Sequence, residues 1–162
     1  MFQRIHSWFL LNIAAAGIVM MMLPVSTIKI TPSGFEGSKV RIIEMDAFGK
    51  TETVDGEKSD AGRNKLLPIS IILSVIVSLV TLFFAKSKTV KLKLCGLNYI
   101  LICLTIVLIF FYCDLQTGSK NILMTSDYHA GAVMPFLQLL GNFFSVLRIK
   151  LDSRALNVIE QL

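Results

Sequence analysis

What this sequence has least of is charge. Asp, Glu, Lys and Arg make up 17% of its 162 residues, while 54% are hydrophobic. An ordinary soluble domain carries roughly a quarter charged residues, so water is the wrong solvent for this chain. Histidine is nearly absent, and His6 and His129 are expected at opposite faces of a membrane, where they cannot share a metal or clasp a haem. The three cysteines, Cys95, Cys103 and Cys113, form neither a CxxC pair nor a disulfide ladder. They fall in one apolar segment, where helix geometry keeps their sulfurs a turn or more apart. Asp114 and Asp127 bracket a short loop, but paired carboxylates without a cleft are usually just solvated. With no catalytic, metal or nucleotide motif left, the expectation is a non-enzymatic protein with no cofactor.

The net charge of +5 does not point to nucleic acid, because the basic residues form no long stripe interleaved with aromatics. They gather instead beside four uncharged blocks. Each block is close to the ~20 residues that a helix needs to cross ~30 Å of hydrocarbon. The blocks run over 7–24, 66–85, 94–113 and 130–147. The first also resembles a secretory signal peptide, with Arg4 before a short apolar stretch, but no small-x-small cleavage site follows it. The expected fold is therefore an all-α membrane protein: one domain over 1–162, a bundle of four transmembrane helices.

Orientation follows from Lys and Arg in the short loops. Lys86, Lys88, Lys91 and Lys93 lie between the second and third blocks, and Arg148, Lys150 and Arg154 follow the fourth, whereas Asp114 to His129 holds only Lys120. Both termini are thus expected on the cytoplasmic side, and 25–65 outside. That long loop balances its basic residues with acidic ones, and long loops translocate largely regardless of charge.

Within the loop, Ser26, Ile28 and Ile30 alternate with Val25, Thr27, Lys29 and Thr31, Val40 to Met45 is β-rich, Asp46 to Gly49 supplies turn residues, and Thr51 to Val54 can return as a partner strand. A small β-hairpin or antiparallel sheet on the outer ends of the helices is expected. Asp55 to Asn64, rich in Gly, Ser and charge, reads as disordered. At the other end, 148–162 repeats apolar residues at helical spacing from Leu147 to Leu162. It reads as a cytoplasmic amphipathic tail that either extends the fourth helix or lies along the inner surface.

Two sets of polar residues interrupt the apolar blocks. Ser70, Ser74 and Ser78 recur every fourth residue, which places them on one helix face and reads as a packing stripe. Asn12, Thr81, Asn98 and Asn142, one from each block, all fall roughly 7 to 12 Å from the cytoplasmic boundary at 1.5 Å per residue, and Gln138 lies one turn above Asn142. Together these five residues form an expected intramembrane polar layer. Its plain reading is mutual hydrogen bonding between helices; its sharper one is a pocket for a small polar solute or a lipid headgroup. No ionisable residue joins it, so an ion-coupled mechanism lacks its usual group.

The opening Met1-Phe2-Gln3-Arg4-Ile5, the Lys93-Leu94-Cys95-Gly96-Leu97-Asn98 start of the third block, and Pro135, Asn142 and Arg148-Ile149-Lys150-Leu151-Asp152 at the fourth resemble a Bacteroidota family of small four-helix inner-membrane proteins that carries only a domain-of-unknown-function label. The resemblance covers the chain except its outer loop. It implies an uncleaved N-terminus and an inner-membrane location, and brings no activity. Its expected basic ending is replaced here by Val158-Ile159-Glu160-Gln161-Leu162. In layout the chain is also similar to claudin-type proteins, without the Trp and Cys residues that mark their loops. The expected role is an accessory or scaffold subunit in the lipid bilayer, with a membrane-protein partner or a second copy of itself. The alternative is a small-solute transporter or channel that uses the polar layer.

Overall fold

In a computed structural model of the chain, which describes residues 3–32, 41–54, 57–63, 65–84, 87–114 and 122–159, the uncharged blocks become four helices: α1 (Gln3–Met22), α2 (Leu66–Phe83), α3 (Lys88–Asp114) and α4 (Ala130–Ile159). Three of them contain stretches long and apolar enough to cross a membrane: Leu66–Phe83, Lys88–Cys113 and Ala130–Leu151. The apolar stretch of α1, Ser7–Met22, is shorter. Pro68 falls in the first turn of α2, where its missing N–H has no helical partner to lose. Pro135 lies inside α4 without ending it, and α4 runs on to Ile159 as one helix. The side chains of 152–162, on which the expected amphipathic tail rests, lie outside the described residues, as do Lys86 and Lys120.

The helices close into a ring in chain order, with α1 against α2 and α4, and α3 against α2 and α4. Close approach of α1 and α4 depends on glycine: a Cβ on Gly141 would lie 3.1 Å from the Ile13 side chain. Phe9 and Phe144 stack across the same seam with ring centroids 5.7 Å apart. Large apolar side chains such as Ile72, Ile76, Ile100, Val107, Leu137 and Leu140 point outward, while Ser74, Asn98, Thr105, Gln138 and Asn142 are buried.

The extra-helical segments form one five-stranded antiparallel sheet in the order β4-β3-β2-β1-β5, from β1 (Ser26–Pro32), β2 (Arg41–Met45), β3 (Gly49–Val54), β4 (Glu57–Arg63) and β5 (Ile122–Tyr128). The Asp46 carboxylate makes the β2–β3 turn by accepting from the amides of Phe48 at 2.8 Å and Gly49 at 2.7 Å. Two elements differ from expectation. Residues 57–63, read from composition as disordered, form β4, because every residue from Val54 to Gly49 on β3 gives them a ladder to pair with. The short loop before α4 supplies β5, which pairs with β1 along its length.

The sheet is fastened to one end of the bundle. Where α1 hands over to β1 and β5 to α4, His129 N–H donates to Val25 O at 3.0 Å and Gly131 N–H to Pro24 O at 3.2 Å, so the α1–α4 seam continues as the β1–β5 ladder. Gly131 is required there, since a Cβ would sit 2.6 Å from Pro24 O. Met20, Val25, Met45, Ala47, Leu67, Ile71, Ile109 and Cys113 make an apolar core that joins sheet to helices. A second core, built on Leu10, Ile13, Cys95, Ile102 and Ile149, lies toward the far end.

Candidate functional site in the polar interior

The serine stripe of α2 faces α3, and it does more than allow close packing. Asn98 on α3 lies between two of its turns: Ser74 Oγ donates to Asn98 Oδ1 at 2.7 Å, and Asn98 Nδ2 donates to Ser78 Oγ at 2.9 Å. About two turns along α3 toward the sheet, Thr105 Oγ1 donates to Ser70 Oγ at 3.0 Å and also reaches Leu101 O at 2.9 Å. All of these side chains are buried.

The α3–α4 seam uses a backbone acceptor. Asn142 Nδ2 donates to Cys95 O at 2.9 Å, while its Oδ1 has no hydrogen-bond partner. Buried Ser145, one turn along α4, lies beside the Cys95 thiol. At the α1–α4 seam Gln138 Nε2 donates to Ile13 O at 3.0 Å. That carbonyl already serves the amide four residues on, Gly17, whose lack of a side chain leaves its second lone pair reachable.

Two members of the expected layer lie elsewhere. Asn12 is exposed on the outer face of α1, where Nδ2 donates to Trp8 O on its own helix at 2.9 Å. The reason is rotational: at about 100° per residue, Asn12 points away from the small face of Ala14 and Gly17 that packs against α2 and α4. Equal depth does not set the face. Thr81 is buried but bonds Val77 O of its own helix at 2.7 Å, a local back-bond that joins nothing across the bundle. The layer is therefore not one ring of side chains. It is a set of clasps at separate seams, and Thr105 and the Ile13 carbonyl, which depth counting misses, belong to it. The signal for the second was Gly17, four residues past Ile13.

At the sheet junction, Thr27 Oγ1 and His129 Nε2 lie 2.7 Å apart, and Ser26 Oγ and Cys113 Sγ 3.4 Å apart. Both contacts tie β1 to a helix end. The His6 and Asp114 side chains lie outside the described residues. Among the described residues no three His, Cys, Asp or Glu side chains converge as a metal would need.

Comparison with known proteins bears on the whole chain. Residues 2–162 match the family model described as Domain of unknown function (DUF4293). The chain belongs to the DUF4293 family. None of the curated proteins matches it. The DUF4293 match spans both the helices and the strands.

Chemically, the interior of this DUF4293 chain offers amides and hydroxyls, and each described bond among them joins two helices or a helix to itself. Two pockets lie away from it. One, about 150 Å³ and apolar, opens between α3 and α4 near Phe110, Tyr128 and Phe136. The other lies where the sheet meets α2.

Proposed function

We propose that this protein is a non-enzymatic, four-span protein of a bacterial inner membrane, with both termini cytoplasmic and the sheet outside, acting as an accessory or scaffold subunit of a larger membrane assembly. The observation that carries this reading is how the interior polar groups are spent. Asn98, Gln138 and Asn142 close on serine hydroxyls and backbone carbonyls of neighbouring helices instead of facing a cavity. In hydrocarbon such bonds fix which helices meet and in what register, each contributing on the order of 0.6 kcal/mol. Closed on their neighbours in this way, the amides of these three residues are engaged in packing. Exposed apolar side chains on α2, α3 and α4 around buried amides and hydroxyls suit a lipid solvent, which offers polar groups no partners of its own. α1, shorter in its apolar stretch, is read as the fourth span because its partners α2 and α4 cover one face only, leaving Leu11, Ile18 and Val19 exposed.

What remains for function is surface. The sheet projects from one end of the bundle, and β4 at its edge is polar and exposed. Solubilisation in mild detergent followed by native mass measurement tests the reading. A stoichiometric complex well above the 18.0 kDa chain supports it, and a lone monomer contradicts it.

A further inference from the structure

We propose that the groove between the β2–β3 turn, the end of β4 and the start of α2 binds one acidic phospholipid, headgroup against the sheet and acyl chain along α2. The groove, about 550 Å³, is lined by Phe48, Arg63, Lys65, Pro68 and Ile69. Its lining thus divides into two cations and an apolar remainder, and no carboxylate is among them. Among the described residues the ion pairs of the sheet join Lys29 to Asp127 and Arg41 to Glu52, and Arg63 and Lys65 are in neither.

The placement of these residues matches the shape of a lipid. Arg63 ends β4 and Lys65 immediately precedes α2, so the charges stand where the sheet meets the helix. Below them Ile69 is 57% exposed, and Leu73 and Ile76 continue the same outward face of α2. Phe48 is 52% exposed although its backbone is pinned by the Asp46 carboxylate, so the groove presents an aromatic ring of the kind that anchors at bilayer surfaces. A guanidinium and an ammonium facing one phosphate make charge-assisted bonds, the guanidinium in a fork. A zwitterionic headgroup would bring its own ammonium toward both cations, which is why the site selects an acidic lipid. The inference rests on the apolar helices lying in a bilayer and is independent of the scaffold role.

Native mass spectrometry of the full chain in mild detergent, titrated with phosphatidylglycerol, phosphatidylcholine or inorganic phosphate, tests it. Wild type is expected to retain one phosphatidylglycerol in preference to phosphatidylcholine. Arg63→Gln with Lys65→Gln should weaken retention at least about tenfold, from two basic contacts near a headgroup. Lys58→Gln with Lys88→Gln removes the same net charge from other exposed sites and should leave retention unchanged. Arg63→Lys should keep most of it. Equal retention by the Arg63/Lys65 double variant, equal retention of phosphatidylcholine, or displacement of the lipid by millimolar phosphate would overturn the proposal.

Discussion

Gly17 on α1 leaves the space that the Gln138 amide on α4 occupies: a Cβ at Gly17 would lie 2.8 Å from Gln138 Nε2 and 2.5 Å from Val75 Cγ2. The glycine and the glutamine are therefore one device, in which the missing side chain exposes the Ile13 carbonyl and the amide takes it. Gly17→Ala gains helix propensity of up to about 1 kcal/mol but must push aside a stiff valine and the amide. Overpacking of this kind costs about 1–3 kcal/mol, so net destabilisation is expected. Unfolding titrations in detergent should also show that Gln138→Leu costs less in the Gly17→Ala background than alone, because its bond is already lost. Strict additivity would mean that the two are not coupled.

The asparagines should separate by seam. Asn98→Leu removes bonds to both Ser74 and Ser78 and should cost about 1–2 kcal/mol, since the stranded hydroxyls can fall back on their own helix carbonyls. Asn142→Leu, which loses one interhelical bond, should cost about 0.5–2 kcal/mol. Asn12→Leu, on the exposed face, should lie within about 0.5 kcal/mol of wild type. The same detergent titration ranks all three, and a large cost at Asn12 would place it back inside the bundle.

Lys50 on β3 gives a pH signature. Its ammonium reaches Tyr112 O at 3.5 Å and sits 5.7 Å from the Tyr112 ring centroid. Burial there pushes its pKa below the ordinary 10.5, and the negative charge of an ionised Cys113 would oppose that shift less strongly. A lysine whose folded pKa is lowered binds its proton less well when folded. Its penalty is absent above the unfolded pKa, grows as pH falls toward the folded one, and is constant at neutral pH. Stability of wild type relative to Lys50→Met should therefore rise with pH as it approaches 10.5 and stay flat around neutrality. A flat difference through the alkaline range would show that the side chain is not desolvated.

The apolar helices were legible because an uncharged run of some twenty residues has few alternatives, and β1 to β3 because alternation and the Asp46 to Gly49 turn agree. β4 was not, since Glu57–Arg63 holds few strand formers; its partner β3 makes it a strand, and the Asp55-Gly56 pair between the two was the local hint. β5 was hidden because its pairing is with β1, about a hundred residues earlier, and long-range partners leave no periodicity. In the interior, depth along each helix was readable, and it found Asn98, Gln138 and Asn142. Rotation about the helix was not, until the small residues of α1 are taken to mark its buried face, and that is why Asn12 was misplaced.

Water access to the clasps tests the account most directly. In a background with Cys95, Cys103 and Cys113 replaced, the near-isosteric Ser74→Cys and Ser78→Cys place thiols beside Asn98, and Lys58→Cys places one on exposed β4. A small charged methanethiosulfonate reagent added to membranes opened to both sides should label Lys58→Cys readily and leave the two buried thiols unreacted until the protein is unfolded. Rapid labelling of Ser74→Cys or Ser78→Cys in the folded protein would show an aqueous path through the bundle, and would contradict the reading of its polar interior as structural clasps.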